Sequence, residues 1–252
     1  MSGPTLIVTR PRPQCAAWLQ RLAALGVPAV ALPLIEILPA RDPAPVQTAW
    51  AALARTDLAL FVSPNAVEHF FALAAGRRWP AHTLAACVGP GSAQALAEHG
   101  VPTQLIVQPA ADAASLDSEH LWPQLQPRRD WAGAQVLLVR GDGGRTWLAE
   151  RLTEAGAQVQ AITAYHRSGP RLDAAEQARL QQVLARPADF VWLFSSAEAV
   201  GHLLAHAGLP LVGQRAVATH ARIAAAATQA GFAPVVLARP DPAAVARALK
   251  VL

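Results

Sequence analysis

The chain has 252 residues, of which 53% are hydrophobic and 15% are charged, which excludes a disordered chain and allows one or two domains with large apolar cores. Its formal net charge is +4, yet the basic residues form no block, which argues against a nucleic-acid-binding arm. Scattered arginines suit an anionic small molecule better, since a guanidinium binds a carboxylate through two parallel hydrogen bonds.

The N-terminal segment, MSGPTLIVTRPRP, lacks the cationic start and long apolar stretch of a signal peptide. No apolar run in the chain is long enough to predict a membrane-spanning helix. The two cysteines, Cys15 and Cys87, exclude a disulfide scaffold and lack the spacing of metal ligands. We therefore expect a cytoplasmic protein without a metal.

The first half of the chain alternates short apolar runs with amphipathic stretches. LIVT (6–9) and LALFV (58–62) have the length of buried parallel strands. The first run predicts a following helix that stops at Gly26, and the second predicts a helix with Ser63 as N-cap that stops at Gly76. We expect these residues on the buried helix faces: Cys15, Trp18, Leu22 and Leu25, then Val67, Phe70, Phe71 and Ala74.

The second half repeats this alternation. VLLV (136–139) and FVWLF (190–194) predict two more buried strands. Ser196 is expected to cap the helix after the second of them, and Asp241 is expected to begin the last helix. The residues expected inside the Ser196 helix are Val200, Leu203 and Leu204.

The two halves also resemble each other in sequence, at an offset of about 130 residues. Four pairs of stretches match in the same order: TLIVTR (5–10) with QVLLVR (135–140), LAALGVPAVALPLIEI (22–37) with LTEAGAQVQAITAYHR (152–167), DLALFVSPNAVEHFF (57–71) with DFVWLFSSAEAVGHLL (189–204), and ACVGPGSAQALAEHG (86–100) with AVATHARIAAAATQAG (216–231). A collinear repeat of this kind predicts an α/β fold with two similar domains, each a mostly parallel sheet flanked by helices.

Two extended runs at equivalent places in the repeat, 32–39 and 161–167, are predicted to form a two-stranded linker between the domains. One domain is then discontinuous, with residues 1–37 and 168–252, and the other spans 40–160. Ligand clefts favour domain interfaces and the carboxyl ends of parallel strands, so we expect the site in a cleft of this kind.

Six stretches resemble the uroporphyrinogen-III synthase family, and the resemblance runs nearly end to end. They are TLIVTRP (5–11), LFVSPNAV (60–67), CVGPGSAQAL (87–96), VLLVRGDGGR (136–145), AITAYHR (161–167) and WLFSSAEAV (192–200). The resemblance implies two domains joined by a two-stranded ladder, an active site between them and no cofactor. It also implies a hydro-lyase that closes the linear octacarboxylate hydroxymethylbilane into a ring, with loss of water and inversion of the last pyrrole, through an azafulvene cation and a spiro-pyrrolenine.

The chain has a single tyrosine, Tyr165, which matches the active-site tyrosine of that family. A phenol is protonated at neutral pH and can donate a hydrogen bond to the departing oxygen of the substrate. One such donor in a desolvated site contributes about 2.7–4 kcal/mol. On the predicted linker, Tyr165 is expected at the mouth of the cleft. The alternative interpretation is a structural tyrosine between core and surface.

The carboxylates of the implied substrate need hydrogen-bond donors, which helix N-termini and arginines supply. The resemblance assigns Ser63, Ser92 and Ser196 to the cleft. Nine candidate substrate-binding residues lie at helix starts and strand ends, with Arg145 as a further arginine: Arg10, Ser63, Asn65, Gly89, Ser92, Arg140, Gly141, Ser195 and Ser196. The alternatives are plain helix capping for the serines and solvation for the arginines.

The chain departs from the family pattern at ATHARIA (218–224), where the family has a Gly-Pro-Thr-Thr-like turn. Arg222 falls at the usual threonine position, and His220 lies in the replaced turn. Both are candidate substrate contacts, and exposure to solvent is the alternative for each.

Other functions fit the sequence less well. His202 and His206 have the i, i+4 spacing of metal ligands, but no third ligand accompanies them. VGPGSAQAL lacks the third glycine of a dinucleotide fingerprint, and RGDGGRT lacks the end of a phosphate loop. The remaining alternative is a non-catalytic module of the same fold that binds an anionic metabolite. We expect a monomer with a small-molecule substrate and neither nucleic acid nor membrane as partner; a transient contact with hydroxymethylbilane synthase stays open.

Overall fold

The structure is a computed structural model, and it describes residues 3–113, 115–143, 147–208 and 211–252. Arg145, one of the candidate arginines, lies outside these residues. The chain divides into two compact units. Unit 1 comprises Met1–Glu36 and Ser168–Leu252, and unit 2 comprises Ile37–Arg167.

The described residues form strands and helices that alternate along the chain. The strands are β1 (Thr5–Val8), β2 (Ala29–Ala31), β3 (Glu36–Pro39), β4 (Leu58–Phe61), β5 (Leu84–Cys87), β6 (Ile106–Val107), β7 (Gln135–Arg140), β8 (Gln158–Thr163), β9 (Tyr165–Ser168), β10 (Phe190–Phe194), β11 (Ala216–Ala218) and β12 (Val235–Leu237). The helices are α1 (Arg12–Ala24), α2 (Ala44–Ala52), α3 (Pro64–Phe71), α4 (Pro90–Glu98), α5 (Ser118–Leu125), α6 (Trp147–Glu154), α7 (Ala174–Ala185), α8 (Ala197–Ala207), α9 (Ala221–Gln229) and α10 (Pro242–Leu249).

Unit 1 is built on a parallel sheet with the strand order β12-β11-β10-β1-β2. The inner strand β1 pairs on both sides, so that Leu6 lies opposite Val191 and Ala29. Helices cover both faces of a sheet of this kind, and its central strands are therefore apolar throughout. Leu6, Val8 and Leu193 are fully buried in the core beneath α1 and α10.

Unit 2 is built on a second parallel sheet with the order β6-β5-β4-β7-β8. Alternate residues of its central strands contribute to two different cores, because successive side chains point to opposite faces. Phe61 packs in the core that contains α3, whereas Leu60 packs in the core that contains α5 and α6. The predicted fold of two similar α/β domains with parallel sheets is confirmed.

The internal repeat explains why the two sheets have the same strand order. The repeat equates β1 with β7, β10 with β4 and β11 with β5, and each equivalent strand holds the same place in its sheet. Each unit therefore combines strands from both halves of the chain. In unit 1, β1 comes from the first half and pairs with β10 from the second.

The helix predictions hold at most buried positions, with two differences. Cys15, Trp18 and Leu22 are buried on α1 as predicted, but Leu25 is 48% exposed because α1 has already ended at Ala24. Helix α3 ends at Phe71 and does not extend to Gly76. Left-handed backbone at Ala75 and Gly76, with φ of 51° and 77°, closes the turn that follows instead.

The predicted linker runs contain a separate two-stranded sheet in which β3 pairs with β9. Its strands lie at the places where the chain passes from one unit to the other, since unit 2 begins at Ile37 and ends at Arg167. In the part of the chain that the structure describes, no helix has the length and hydropathy needed to cross a membrane.

Candidate active site

Tyr165 is the first residue of β9, and its side chain is only 3% exposed. It packs in the apolar core of unit 2 that also holds Phe61 and Ile162. The backbone explains this placement. The N–H of Ala164 donates to the carbonyl of Arg140 over 2.8 Å, which holds the start of β9 against the carboxyl end of β7. We predicted Tyr165 at the mouth of a cleft; its ring is buried in the core of unit 2.

The hydroxyl group of Tyr165 has one hydrogen-bond partner among the described residues. Its oxygen lies 3.0 Å from Oγ of Ser63. Ser63 is the N-cap of α3, as predicted, and its Oγ also accepts the backbone N–H of Ala66 over 3.2 Å. Ser63 is half-buried, so it is the more exposed member of the pair.

Gly141 lies directly against one side of the Tyr165 ring. A Cβ atom added to Gly141 would lie 2.7 Å from Cζ and 2.8 Å from Cε2 of the ring. The absence of a side chain at this position is therefore what admits the ring. Gly141 directly follows β7, so the tyrosine ring packs against the carboxyl end of this strand.

Two histidines lie near Tyr165, and the sequence argument did not identify either. The ring of His69 stacks at 5.8 Å from the tyrosine ring, with an interplanar angle of 21°. Burial lowers the pKa of His69, the Glu68 carboxylate raises it, and the charge of His166 lowers it further. Two features of the sequence could have indicated these histidines: His166 directly follows Tyr165, and His69 lies on α3, the helix that Ser63 caps.

His166 also lines a pocket of about 480 Å³ within unit 2. The polar side chains of this pocket belong to Arg41, Asp42, Asp142, Thr163 and His166. Two carboxylates and one guanidinium give the pocket a mixed charge, so it is a poor site for a polyanion by itself. In the described part of the chain, no group of three or more His, Cys, Asp or Glu residues has the arrangement of a metal site.

The other candidates of unit 2 lie at neighbouring strand ends. Asn65 and Ser92 are buried in the first turns of α3 and α4, and Gly89 is the N-cap of α4. These helices follow β4 and β5, which pair with each other, while Arg140 ends β7. The carboxyl edge of this sheet therefore brings together the ends of β4, β5 and β7, and with them Ser63, Gly89 and Gly141.

Arg10 lies just beyond the carboxyl end of β1 in unit 1 and is half-buried. Its Nε and Nη2 donate to Oε1 of Gln14 over 3.2 and 2.9 Å, and its guanidinium carbon lies 4.9 Å above the ring of Trp18. Burial lowers the pKa of Arg10, and Cys15 opposes that shift. The guanidinium is thus held by an amide and an aromatic ring, with no carboxylate partner among the described residues.

The remaining candidates follow the next strands of unit 1. Ser195 and Ser196 follow β10, and Oγ of Ser196 accepts the N–H of Glu198 over 3.2 Å as the N-cap of α8. His220 is the N-cap of α9, where its Nδ1 accepts the N–H of Arg222 over 3.1 Å. Both His220 and Arg222 are exposed. Because β1, β10 and β11 are adjacent, these residues share one sheet edge with Arg10.

Comparison with known proteins identifies a family and several relatives. The family model described as uroporphyrinogen-III synthase HemD matches residues 16–247. Uroporphyrinogen-III synthase of Salmonella typhimurium is 35% identical over 176 residues, which is 69% of this chain and 69% of the relative. The Escherichia coli protein of the same name is 34% identical over 178 residues, with 69% of each chain covered.

Solved structures agree on the fold. A mutant uroporphyrinogen III synthase of the extreme thermophile Thermus thermophilus superposes with a TM-score of 0.59 at 20% identity, over 99% of this chain and 100% of that chain. Uroporphyrinogen-III synthetase of Helicobacter pylori superposes with a TM-score of 0.60 at 19% identity, again over 99% and 100%.

Proposed function

The chain belongs to the uroporphyrinogen-III synthase family, and from that premise we propose that it cyclises hydroxymethylbilane to uroporphyrinogen III. In this reaction the last pyrrole ring is inverted and one molecule of water is lost, which makes the protein a hydro-lyase. We further propose that it acts as a cytoplasmic monomer without a cofactor.

The observation that carries the proposal is the contact between Tyr165 and Ser63. Two hydroxyl groups lie 3.0 Å apart at the carboxyl edge of a parallel sheet, where α/β proteins bind their ligands. Loss of a hydroxyl group from the substrate is accelerated by a proton donor at the departing oxygen. A pair of linked hydroxyls supplies such a donor without a charged acid.

The substrate carries eight carboxylates, so most of its binding contacts must be hydrogen-bond donors. The proposed donors are the N-terminal turns of α3, α4, α8 and α9 together with three arginines. Arg10 supports this assignment best, because its guanidinium is half-buried and is held by Gln14 rather than by a carboxylate. Arg140 and Arg222 are the other two.

Control of shape is the main task of the proposed enzyme, because the linear substrate can also close unaided without inversion. Holding the last ring so that its substituted carbon is attacked is an effect of proximity and orientation. Excluding water from the azafulvene intermediate protects it from hydrolysis. The proposed donors would fix the carboxylates while this happens.

The test is a product analysis. Purified protein is mixed with freshly generated hydroxymethylbilane, and the products are oxidised and separated into isomers. The proposal predicts that the type III isomer dominates and forms faster than type I forms in the absence of protein. Type I alone would contradict the enzyme assignment and would favour a non-catalytic module that binds an anionic metabolite.

A further inference from the structure

Resting on the proposed function, we propose that Ser63 is the hydroxyl that contacts the departing oxygen, and that Tyr165 acts through Ser63 as the second member of a proton relay. This assignment reverses the order expected from the sequence, in which Tyr165 meets the substrate directly. It follows from which of the two hydroxyls can donate and which is exposed.

The direction of the hydrogen bond follows from counting donors and acceptors. A hydroxyl has one hydrogen to donate and two lone pairs that accept. If Ser63 donated to Tyr165, the buried phenolic hydrogen would have no acceptor among the described residues, and a buried unsatisfied donor is strongly disfavoured. Tyr165 therefore donates to Ser63.

That direction leaves the Ser63 hydrogen available for another molecule. One Ser63 lone pair accepts from Ala66 N–H and the other accepts from Tyr165. Both acceptor positions are then occupied, so the serine hydrogen must point elsewhere. A hydroxyl that accepts a hydrogen bond is also a stronger donor, because linked hydrogen bonds polarise one another.

Exposure supports the same order. Tyr165 is 3% exposed, whereas Ser63 is half-buried. Gly141 lies against the hydroxyl-bearing end of the ring, at 2.7 Å from Cζ for an added Cβ, so the backbone that follows β7 packs directly on the buried tyrosine. The serine side chain is oriented by its role as the N-cap of α3.

The proposed step balances in atoms and charge. As the C–O bond of the hydroxymethyl group breaks, its electron pair stays on the oxygen, which takes the Ser63 proton and leaves as water. The lone pair of the pyrrole nitrogen fills the vacated carbon and gives the azafulvene cation. Ser63 takes the proton of Tyr165, so a phenolate and a cation form together and the net charge is unchanged.

Ring closure then restores the relay. The substituted carbon of the last pyrrole bonds to the azafulvene carbon and gives the spiro-pyrrolenine. The original methylene bond to that carbon then breaks and re-forms at the free α-carbon of the same ring, which inverts the ring, and this α-carbon loses its hydrogen as a proton to restore the aromatic pyrrole. This proton returns through Ser63 to the phenolate. The protein is unchanged at the end, and no oxidant, reductant or co-reactant is required.

The test is a double-mutant cycle on the rate of type III formation. Because general acids contribute about 10²- to 10⁴-fold, we expect Ser63→Ala to lower this rate by about 10²-fold and Tyr165→Phe to lower it by about tenfold. Since Tyr165 acts through Ser63, the double variant should be no slower than Ser63→Ala. Losses that multiply in the double variant would overturn the relay.

Two controls separate chemistry from helix capping. Asp117 caps α5 in the same unit and accepts the N–H of His120, so Asp117→Ala removes a cap without touching the relay. Ser63→Thr keeps both the hydroxyl and the cap and should recover most of the rate. If Ser63→Ala is no slower than Asp117→Ala, Ser63 is structural and the inference fails.

A solvent isotope measurement supplies a readout that a structural role would not change. The rate in mixtures of light and heavy water should curve with the deuterium fraction for the wild type, because two protons move, and should be linear for Tyr165→Phe. A linear dependence in both proteins would contradict the relay. Absence of type III product from the wild type would instead contradict the proposed function itself.

Discussion

The hydroxyl oxygens of Tyr165 and Ser63 lie 3.0 Å apart, although 102 residues of chain separate them. The contact depends on the pairing of β4 with β7, because Ser63 follows β4 and the start of β9 is bound to the end of β7. A change at this sheet edge should therefore affect both the stability of unit 2 and the chemistry proposed for it.

Gly141→Ala tests most directly whether the missing side chain at position 141 makes room for the Tyr165 ring. An added Cβ would meet the ring at 2.7 Å, so we expect a loss of about 1–3 kcal/mol in the free energy of unfolding. Gly201→Ala is the matched control, since it lies in α8 with no atom within 4 Å of an added Cβ. That variant should gain about 0.5–1 kcal/mol. Urea denaturation measures both, and equal stabilities would exclude the predicted clash.

The buried carboxylate of Glu176 should stabilise unit 1. Its side chain is 7% exposed, accepts from Arg12 over 2.8 Å and accepts the N–H of Asp173 over 3.1 Å. Glu176→Gln removes the charge from both contacts and should reduce the free energy of unfolding by about 1–3 kcal/mol. Glu154→Gln, at an exposed pair with Arg151, should change it by less than about 0.5 kcal/mol. Comparable losses in the two variants would contradict this.

His69 should make stability depend on pH. Burial lowers its pKa in the folded protein, so the unfolded chain binds the proton first as the pH falls through about 6.5. The contribution of neutral His69 to the free energy of unfolding is therefore fully present above that pH. It decreases as the pH falls from there to the lower pKa of the folded state. Thermal melts of His69→Gln should show a smaller decline between pH 7 and 5 than the wild type. His82→Gln, at an exposed position, should follow the wild type.

Both cysteine thiols should resist modification in the folded protein. Burial raises the pKa of Cys15 to about 11 and that of Cys87 to about 11, so little thiolate forms at pH 8. An aromatic disulfide reagent should release almost no chromophore until denaturant is added, and then two equivalents. Rapid reaction of the native protein would show that one thiol is accessible.

Arg222 should contribute to substrate affinity and not to the chemical step. It is exposed in the first turn of α9, where a guanidinium can bind a substrate carboxylate. We expect Arg222→Gln to raise KM about tenfold, the equivalent of about 1.4 kcal/mol, with little change in kcat. Arg247→Gln, at an exposed position of α10, is the control for loss of one positive charge. Equal values of KM for the two variants would remove Arg222 from the site.

Periodicity and repetition in the sequence predicted most of the fold. The short apolar runs predicted the inner strands. The repeat with an offset of about 130 residues predicted two sheets of the same kind. Local rules also identified Ser63, Ser196 and Asp241 as helix caps, and each side chain accepts a backbone N–H as expected. These features depend on neighbours in the chain, which is why sequence alone suffices for them.

The arrangement around Tyr165 could not be predicted in the same way. Its burial depends on the bond between Ala164 and Arg140 and on the space left by Gly141, and none of these contacts follows from a local pattern. His69 was missed because a histidine on a capped helix usually faces solvent, whereas here it stacks near the tyrosine ring. Contacts of this type are set by how strands from distant parts of the chain pair.

The placement of β1 also orders events during synthesis on the ribosome. Unit 2 is one continuous segment, Ile37–Arg167, so it can fold while the C-terminal segment is still being made. Strand β1 must wait for its neighbour β10, whose first residue is Phe190. At about 5–20 residues per second, this delay is on the order of 10–40 s. Throughout that interval the apolar strand Thr5–Val8 can pair only with β2, and its unpaired edge toward β10 is a natural target for a chaperone that binds exposed apolar segments.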